Sequence, residues 1–97
     1  MPPPITRAYY ISGRVQGVGF RAHTQAKALE LSLCGAAINL NDGRVYVEAL
    51  GAQDSISKLA QWLALGPRFA RVDSVTEVPI STQDSARLQG LTSFSTG

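Results

Sequence analysis

Nine consecutive residues, Gly13-Arg14-Val15-Gln16-Gly17-Val18-Gly19-Phe20-Arg21, combine residue types and spacing from which chemistry can be built. Three glycines in the seven residues from 13 to 19 open backbone conformations closed to other residues. Successive N–H groups can then turn inward around one oxygen-rich ligand. A helix starting after the loop adds its unpaired first-turn N–H groups and the positive end of its dipole. Arg21 supplies a planar fork of donors able to hold two oxygens of a phosphoryl group at once. A small phosphoryl ligand is the first expectation. From spacing alone a blander reading stands beside it: an ordinary glycine-rich turn of a small α/β domain, with Arg21 in solvent. Two nucleotide motifs are excluded. No Gly-Lys-Ser/Thr follows the glycines to serve a β/γ-phosphate and magnesium, and glycines at 13, 17 and 19 do not fit G-x-G-x-x-G.

The other reactive side chains offer less. His23, the only histidine, lies two residues past Arg21, about 200° around a helix of 3.6 residues per turn, and is expected to point away into solvent. The carboxylates at 30, 42, 48, 54, 73, 77 and 84 show no metal-ligand spacing, so neither metal nor cofactor is expected. Asp42 reads as a turn residue, and Trp62 as core or helix-flank packing. The single cysteine, Cys34, excludes an internal disulfide and reads as a small buried apolar side chain in a reducing compartment. With 97 residues the chain makes one domain, large enough for a core without metal or disulfide, and any site must be shallow. A net charge of +2 is too small to argue for nucleic acid or a membrane surface as partner. Met1-Pro2-Pro3-Pro4 has no signal-peptide core, and no run approaches the roughly 18 apolar residues of a membrane span. A cytoplasmic monomer is the expectation.

These residues must be positioned by the elements around them. Residues 1–6 read as a flexible tail and 7–97 as the domain. Arg7 to Val15 places Tyr9, Ile11, Gly13 and Val15 on one face, a half-buried strand. From Arg21 to Leu31 a helix is predicted, its apolar face carrying Ala22, Ala26 and Leu29. Cys34 to Leu40 and Arg44 to Leu50 flank Asn41-Asp42-Gly43, a strong hairpin signal. In the second of these strands Val45, Val47 and Ala49 should be covered while Arg44, Tyr46 and Glu48 meet water. Asp54 or Ser55 is the expected cap of a second helix, in which Ile56, Leu59, Ala60 and Leu63 recur at helical spacing until Gly66-Pro67. Val72 to Ile80 reads as a fourth strand ending near Pro79. Residues 81–90 read as polar and irregular, and Leu91 to Ser95 as a short last strand. The order β-α-β-β-α-β predicts an α+β two-layer sandwich of ferredoxin-like topology: a four-stranded antiparallel sheet, with room for a short fifth strand, and both helices on one face. The first strand would then be central, and the loop at 15–20 would project from the middle of one sheet end.

The run from Gly13 to Arg21 resembles the signature loop of the acylphosphatase family. Gly35 through Asn39, Asp42-Gly43, Trp62-Leu63 and Gly66-Pro67 fall where that family's second signature and later landmarks lie, and the resemblance covers roughly residues 8 to 78. It implies that the N–H groups of Gln16, Gly17, Val18, Gly19 and Phe20, with the Arg21 guanidinium, bind the phosphoryl group. It also implies that Asn39 orients the attacking water. The substrate would be a small acyl phosphate, with inorganic phosphate as product and competitive inhibitor. Where the family usually has G-W-V-R-N this chain has Gly35-Ala36-Ala37-Ile38-Asn39, and Ser32 stands where a glycine normally closes the first helix. The second strand is therefore expected to be the weak part of the fold, lacking about 2–4 kcal/mol of buried apolar contact.

Two other classes compete. One is a non-catalytic phosphate- or anion-binding module, as when an acylphosphatase-like domain is fused inside a hydrogenase-maturation carbamoyltransferase; the presence of both Arg21 and Asn39 argues against it. The other is an RNA-recognition module with the same strand-helix order. Its aromatic-glycine motif belongs on the third strand, whereas here Gly17-Val18-Gly19-Phe20-Arg21 precedes the first helix.

Overall fold

In the computed structural model, which describes residues 2–97, the chain runs β1 (Ile5–Arg14), α1 (Phe20–Glu30), β2 (Cys34–Asn39), β3 (Val45–Gly51), α2 (Gln53–Leu65), β4 (Arg71–Val78), α3 (Thr82–Gln89) and β5 (Phe94–Ser95). The strand order is β4-β1-β3-β2-β5. All neighbours are antiparallel except β2 and β5, which run parallel through Gly35↔Phe94 and Ala36↔Ser95. The β-α-β-β-α-β sandwich is thus as expected, the short fifth strand included, with the correction that the sheet is mixed rather than purely antiparallel. Because β1 is flanked by β4 and β3, the loop that leaves it emerges from the interior of the sheet, as a preformed site requires. β1 starts at Ile5, so Ile5 and Thr6 of the expected tail are paired with Gly51 and Leu50. Met1 of that tail lies outside the described residues.

One sheet face carries the main core. Tyr9 and Ile11 of β1, Ala37 of β2 and Val45, Val47 and Ala49 of β3 pack under Phe20 and Ala28 of α1 and Ile56, Leu59 and Leu63 of α2. Each fully buried Val, Leu, Ile or Phe contributes about 1.5–3 kcal/mol relative to its exposed state. The α2 stripe is the predicted one, but its cap is not. The helix begins at Gln53 with Ala52 as N-cap and no side-chain cap bond, and Asp54 sits within the first turn, where its charge suits the dipole.

The buried face of α1 also differs from the prediction. Phe20, Thr24 and Ala28 are buried, whereas Ala22 and Ala26 are exposed and Leu29 is 49% exposed. The helix starts one residue earlier than predicted, and its first side chain sets the rotation: Phe20 packs on Trp62 with ring centroids 5.8 Å apart. Thr24 can follow it inward because its hydroxyl donates to the Phe20 carbonyl at 2.8 Å.

The opposite face departs most. Residues 81–90, expected to be irregular, form α3 and cover part of it. The Ser81 hydroxyl caps the helix by accepting from the Asp84 N–H at 3.0 Å. Arg87 Nη2 donates to Glu48 Oε2 at 2.8 Å, and the Ser85 and Thr6 hydroxyls lie 3.3 Å apart. Glu48, expected in water, is 2% exposed, and Leu88 is fully buried. Ala8, Glu48 and Ala36 form one cross-strand row, all buried. Two alanines keep that row low, which leaves room for a helix to lie over it. Beside it, Tyr46 stacks at a tilt on Tyr10, centroids 5.2 Å apart. Burial, reinforced by the charge of Glu48, pushes the Tyr46 phenol up to about 12.

Candidate functional site

Between β1 and α1 the chain is pinned at both ends by buried side chains, Val15 and Phe20, each 1% exposed. What lies between is shaped by Gly17 (φ 75°) and Gly19 (φ 77°), both left-handed. Nothing lies within 4 Å of the place a Cβ would take at Gly17, so backbone conformation rather than space calls for glycine there. Among the described residues, the N–H groups of Gln16, Gly17, Val18 and Gly19 donate to no backbone acceptor. Gly19 is the N-cap of α1, with no side-chain cap bond, and no acidic residue sits in the first turn. The positive end of α1 therefore faces the loop uncompensated.

Arg21 follows in the first turn, half-buried, and its Nη1 donates to the Thr96 carbonyl at 2.7 Å. One corner of the guanidinium is thereby anchored, and among the described residues its other N–H groups meet no acceptor, which leaves them for an anion. A second anchor joins the same regions: Gln25 Nε2 donates to the Phe94 carbonyl at 2.9 Å. Thr96 has no sequence signature as a site residue. Its contact with Arg21 depends on where β5 comes to rest, which local spacing does not reveal.

Asn39 reaches the site from the other side. It ends β2, and the two-residue alternation puts it on the same face as the buried Ala37, the face on which α1 lies. β2 can approach β3 closely because residue 35 is glycine; a Cβ there would collide with the Glu48 carbonyl oxygen. The hairpin after Asn39 turns as predicted. Asp42 accepts from the Arg44 N–H at 3.1 Å and from its Nε at 2.7 Å. The Arg44 backbone N–H does most to hold the Asp42 carboxyl below the usual carboxylate range; desolvation opposes it, and the Arg44 guanidinium adds to the lowering.

A cavity of about 190 Å3 results, bringing Gly17, Gly19, Phe20 and Arg21 together with Asn39 and Thr96. Gln16 and Val18 of the predicted set do not line it. Val18 packs against the core, and the Gln16 side chain turns to the β2–β3 hairpin. His23 is exposed, as expected, but does not turn away from the loop. Its Nδ1 lies 2.8 Å from the Gly19 carbonyl oxygen, because residues four apart share a helix face and the expectation took its angle only from Arg21. No carboxylate lines the cavity, and among the described residues no three His, Cys, Asp or Glu side chains cluster as a metal ligand set. Unpaired N–H groups, a helix start and one arginine can hold a tetrahedral anion, with a carboxamide across from it.

Known proteins agree on the family. A family model described as Acylphosphatase matches residues 7–95. An acylphosphatase of Vibrio parahaemolyticus is 48% identical over 73 residues, 75% of this chain and 81% of that protein. One of Solibacter usitatus is 44% identical over 89 residues, 90% and 93% of the two chains. The structure of an acylphosphatase from Coxiella burnetii superposes with a TM-score of 0.86 at 35% identity, covering 98% of this chain and 94% of that one.

Proposed function

The chain belongs to the acylphosphatase family of hydrolases, and on that premise we propose how its residues divide the reaction. The N–H groups of the 16–20 loop, whose Gly17, Gly19 and Phe20 line the cavity, and the Arg21 guanidinium hold the phosphoryl group of a small acyl phosphate. The Asn39 carboxamide accepts a hydrogen bond from a water molecule and aims its oxygen at phosphorus. The P–O bond to the carboxyl oxygen breaks, the water oxygen bonds to phosphorus, and the products are a carboxylate and inorganic phosphate. The leaving carboxylate is stable as an anion, so no general acid is required. The water proton passes to an oxygen of the phosphoryl group itself, so no protein base is required either. Phosphoryl transfer has a loose transition state with charge spread over the equatorial oxygens, and catalysis reduces to positioning and electrostatic stabilisation.

The observation that carries this reading is the convergence of Arg21 and Asn39, from separate elements, on one cavity with the glycine loop. The test separates binding from water placement. Arg21→Ala should weaken inhibition by inorganic phosphate and lower turnover together, and Arg21→Lys should restore little, because a point charge cannot copy the fork. Asn39→Ala should leave phosphate inhibition nearly unchanged while turnover on an aromatic acyl phosphate falls by roughly 10²–10³. Near-full turnover in folded Asn39→Ala would refute its water-placing role, a parallel loss of phosphate affinity would make Asn39 part of the anion cradle, and absence of turnover in the unsubstituted protein would favour a plain anion-binding module.

A further inference from the structure

The Gln16 side chain takes no part in the scheme above, yet it makes the most direct link between its two halves. Its Nε2 donates to the Leu40 carbonyl at 2.7 Å and to the Arg44 carbonyl at 2.9 Å. Those carbonyls stand on either side of the β2–β3 turn, which closes on itself through the Leu40 N–H donating to the same Arg44 carbonyl at 2.8 Å. A carboxamide nitrogen has two N–H groups in one plane, so two acceptors use up its donors and fix its position. Leu40 is the residue after Asn39. In the sheet β3 lies between β1 and β2, so no strand ladder ties the loop-bearing end of β1 to β2 directly. Asn39 is exposed and makes no side-chain hydrogen bond among the described residues. Its placement relative to the phosphoryl cradle therefore depends on what holds the end of β2.

We propose that Gln16 is a positioning residue: its side chain clasps the hairpin to the phosphate loop and so sets the distance from the bound phosphoryl group to the water held by Asn39. The inference rests on the roles assigned to Arg21 and Asn39 above. It explains why Gln16 belongs in the loop although its side chain does not line the cavity. A shift of about 1 Å in a positioned reactant can cost as much as 10²-fold in rate.

A double-variant cycle tests it, read as turnover and as the inhibition constant of inorganic phosphate. Gln16→Ala should lower turnover by roughly 10–100-fold and leave phosphate inhibition within about twofold, since the backbone cradle remains. Gln16→Met, of similar length but without donors, should behave alike. In the Asn39→Ala background Gln16→Ala should have almost no further effect, because the group it positions is gone. Amide exchange at Leu40 and Gly43 should quicken in both Gln16 variants. The inference is overturned if the two losses multiply, if phosphate inhibition weakens in step with turnover, or if Gln16→Ala stays near full activity while Asn39→Ala is crippled. Failure of both Gln16 variants to fold would overturn it too, making the clasp a support of the fold. Near-full activity in Asn39→Ala would instead sink the underlying assignment, and this inference with it.

Discussion

β3 lends alternate residues to two sheet faces, and the two are buried by different physics. Val45, Val47 and Ala49 face α1 and α2 in a continuous apolar cluster. Tyr46 and Glu48 face the other way, and there a carboxylate with only 3% of its side chain exposed is held by an arginine from a short polar helix. On the first face many side chains share the load. On the second, closure rests on few contacts: one ion pair, one pair of hydroxyls, one leucine and one helix cap. Alternation along a strand thus reports which residues share a face and says nothing of whether that face is dry.

The largest expected effect is on the first face. Leu59→Ala should cost about 3–4 kcal/mol by denaturant unfolding, because its packed surroundings collapse little. Leu88→Ala should cost about 2 kcal/mol, since α3 is short and can settle into the space. A greater loss at Leu88 would reverse the ranking of the two faces. Next comes the ion pair. Arg87→Ala strands the buried Glu48 carboxylate and should lower the melting temperature more than Glu48→Gln does, while Glu48→Leu with Arg87→Met should recover most of the loss. Unchanged melting in Arg87→Ala would show that α3 needs no charge to stay docked. The smallest effect concerns the caps. Ser81→Ala should cost about 1 kcal/mol and Ala52→Ser should add up to about 1 kcal/mol, because α3 has a capping side chain and α2 has none. Equal and negligible shifts would mean that neither helix start limits stability.

Legibility in the sequence follows the same division. The glycine loop, the Asp42-Gly43 turn and the Ile56-Leu59-Leu63 stripe are readable because each signal lies within a few residues. The rotation of α1 misleads because three small or aliphatic side chains, Ala22, Ala26 and Leu29, outweigh the one aromatic at its start. α3 escapes notice because Thr82-Gln83-Asp84-Ser85-Ala86-Arg87-Leu88-Gln89 holds only Ala86 and Leu88 as apolar residues, too few to set a helical period. The site shows the same mixture. Arg21 and Asn39 can be named from motif residues, whereas the Thr96 carbonyl and the turn of Gln16 away from the cavity cannot.

By itself the sequence determined which backbone segments turn, where the hairpin closes, and which arginine and asparagine were worth watching. The turns, the hairpin and Arg21 follow from local φ/ψ preferences and from short-range spacing, whereas Asn39 is singled out by the resemblance to the acylphosphatase family. Only the tertiary structure decided that Arg21 is anchored by the Thr96 carbonyl, that Glu48 is dry, and that Gln16 spans from the loop to the hairpin. Those contacts join residues 24 to 75 positions apart. They arise from strand register and helix rotation, which the whole packed core sets together and no short window of sequence contains.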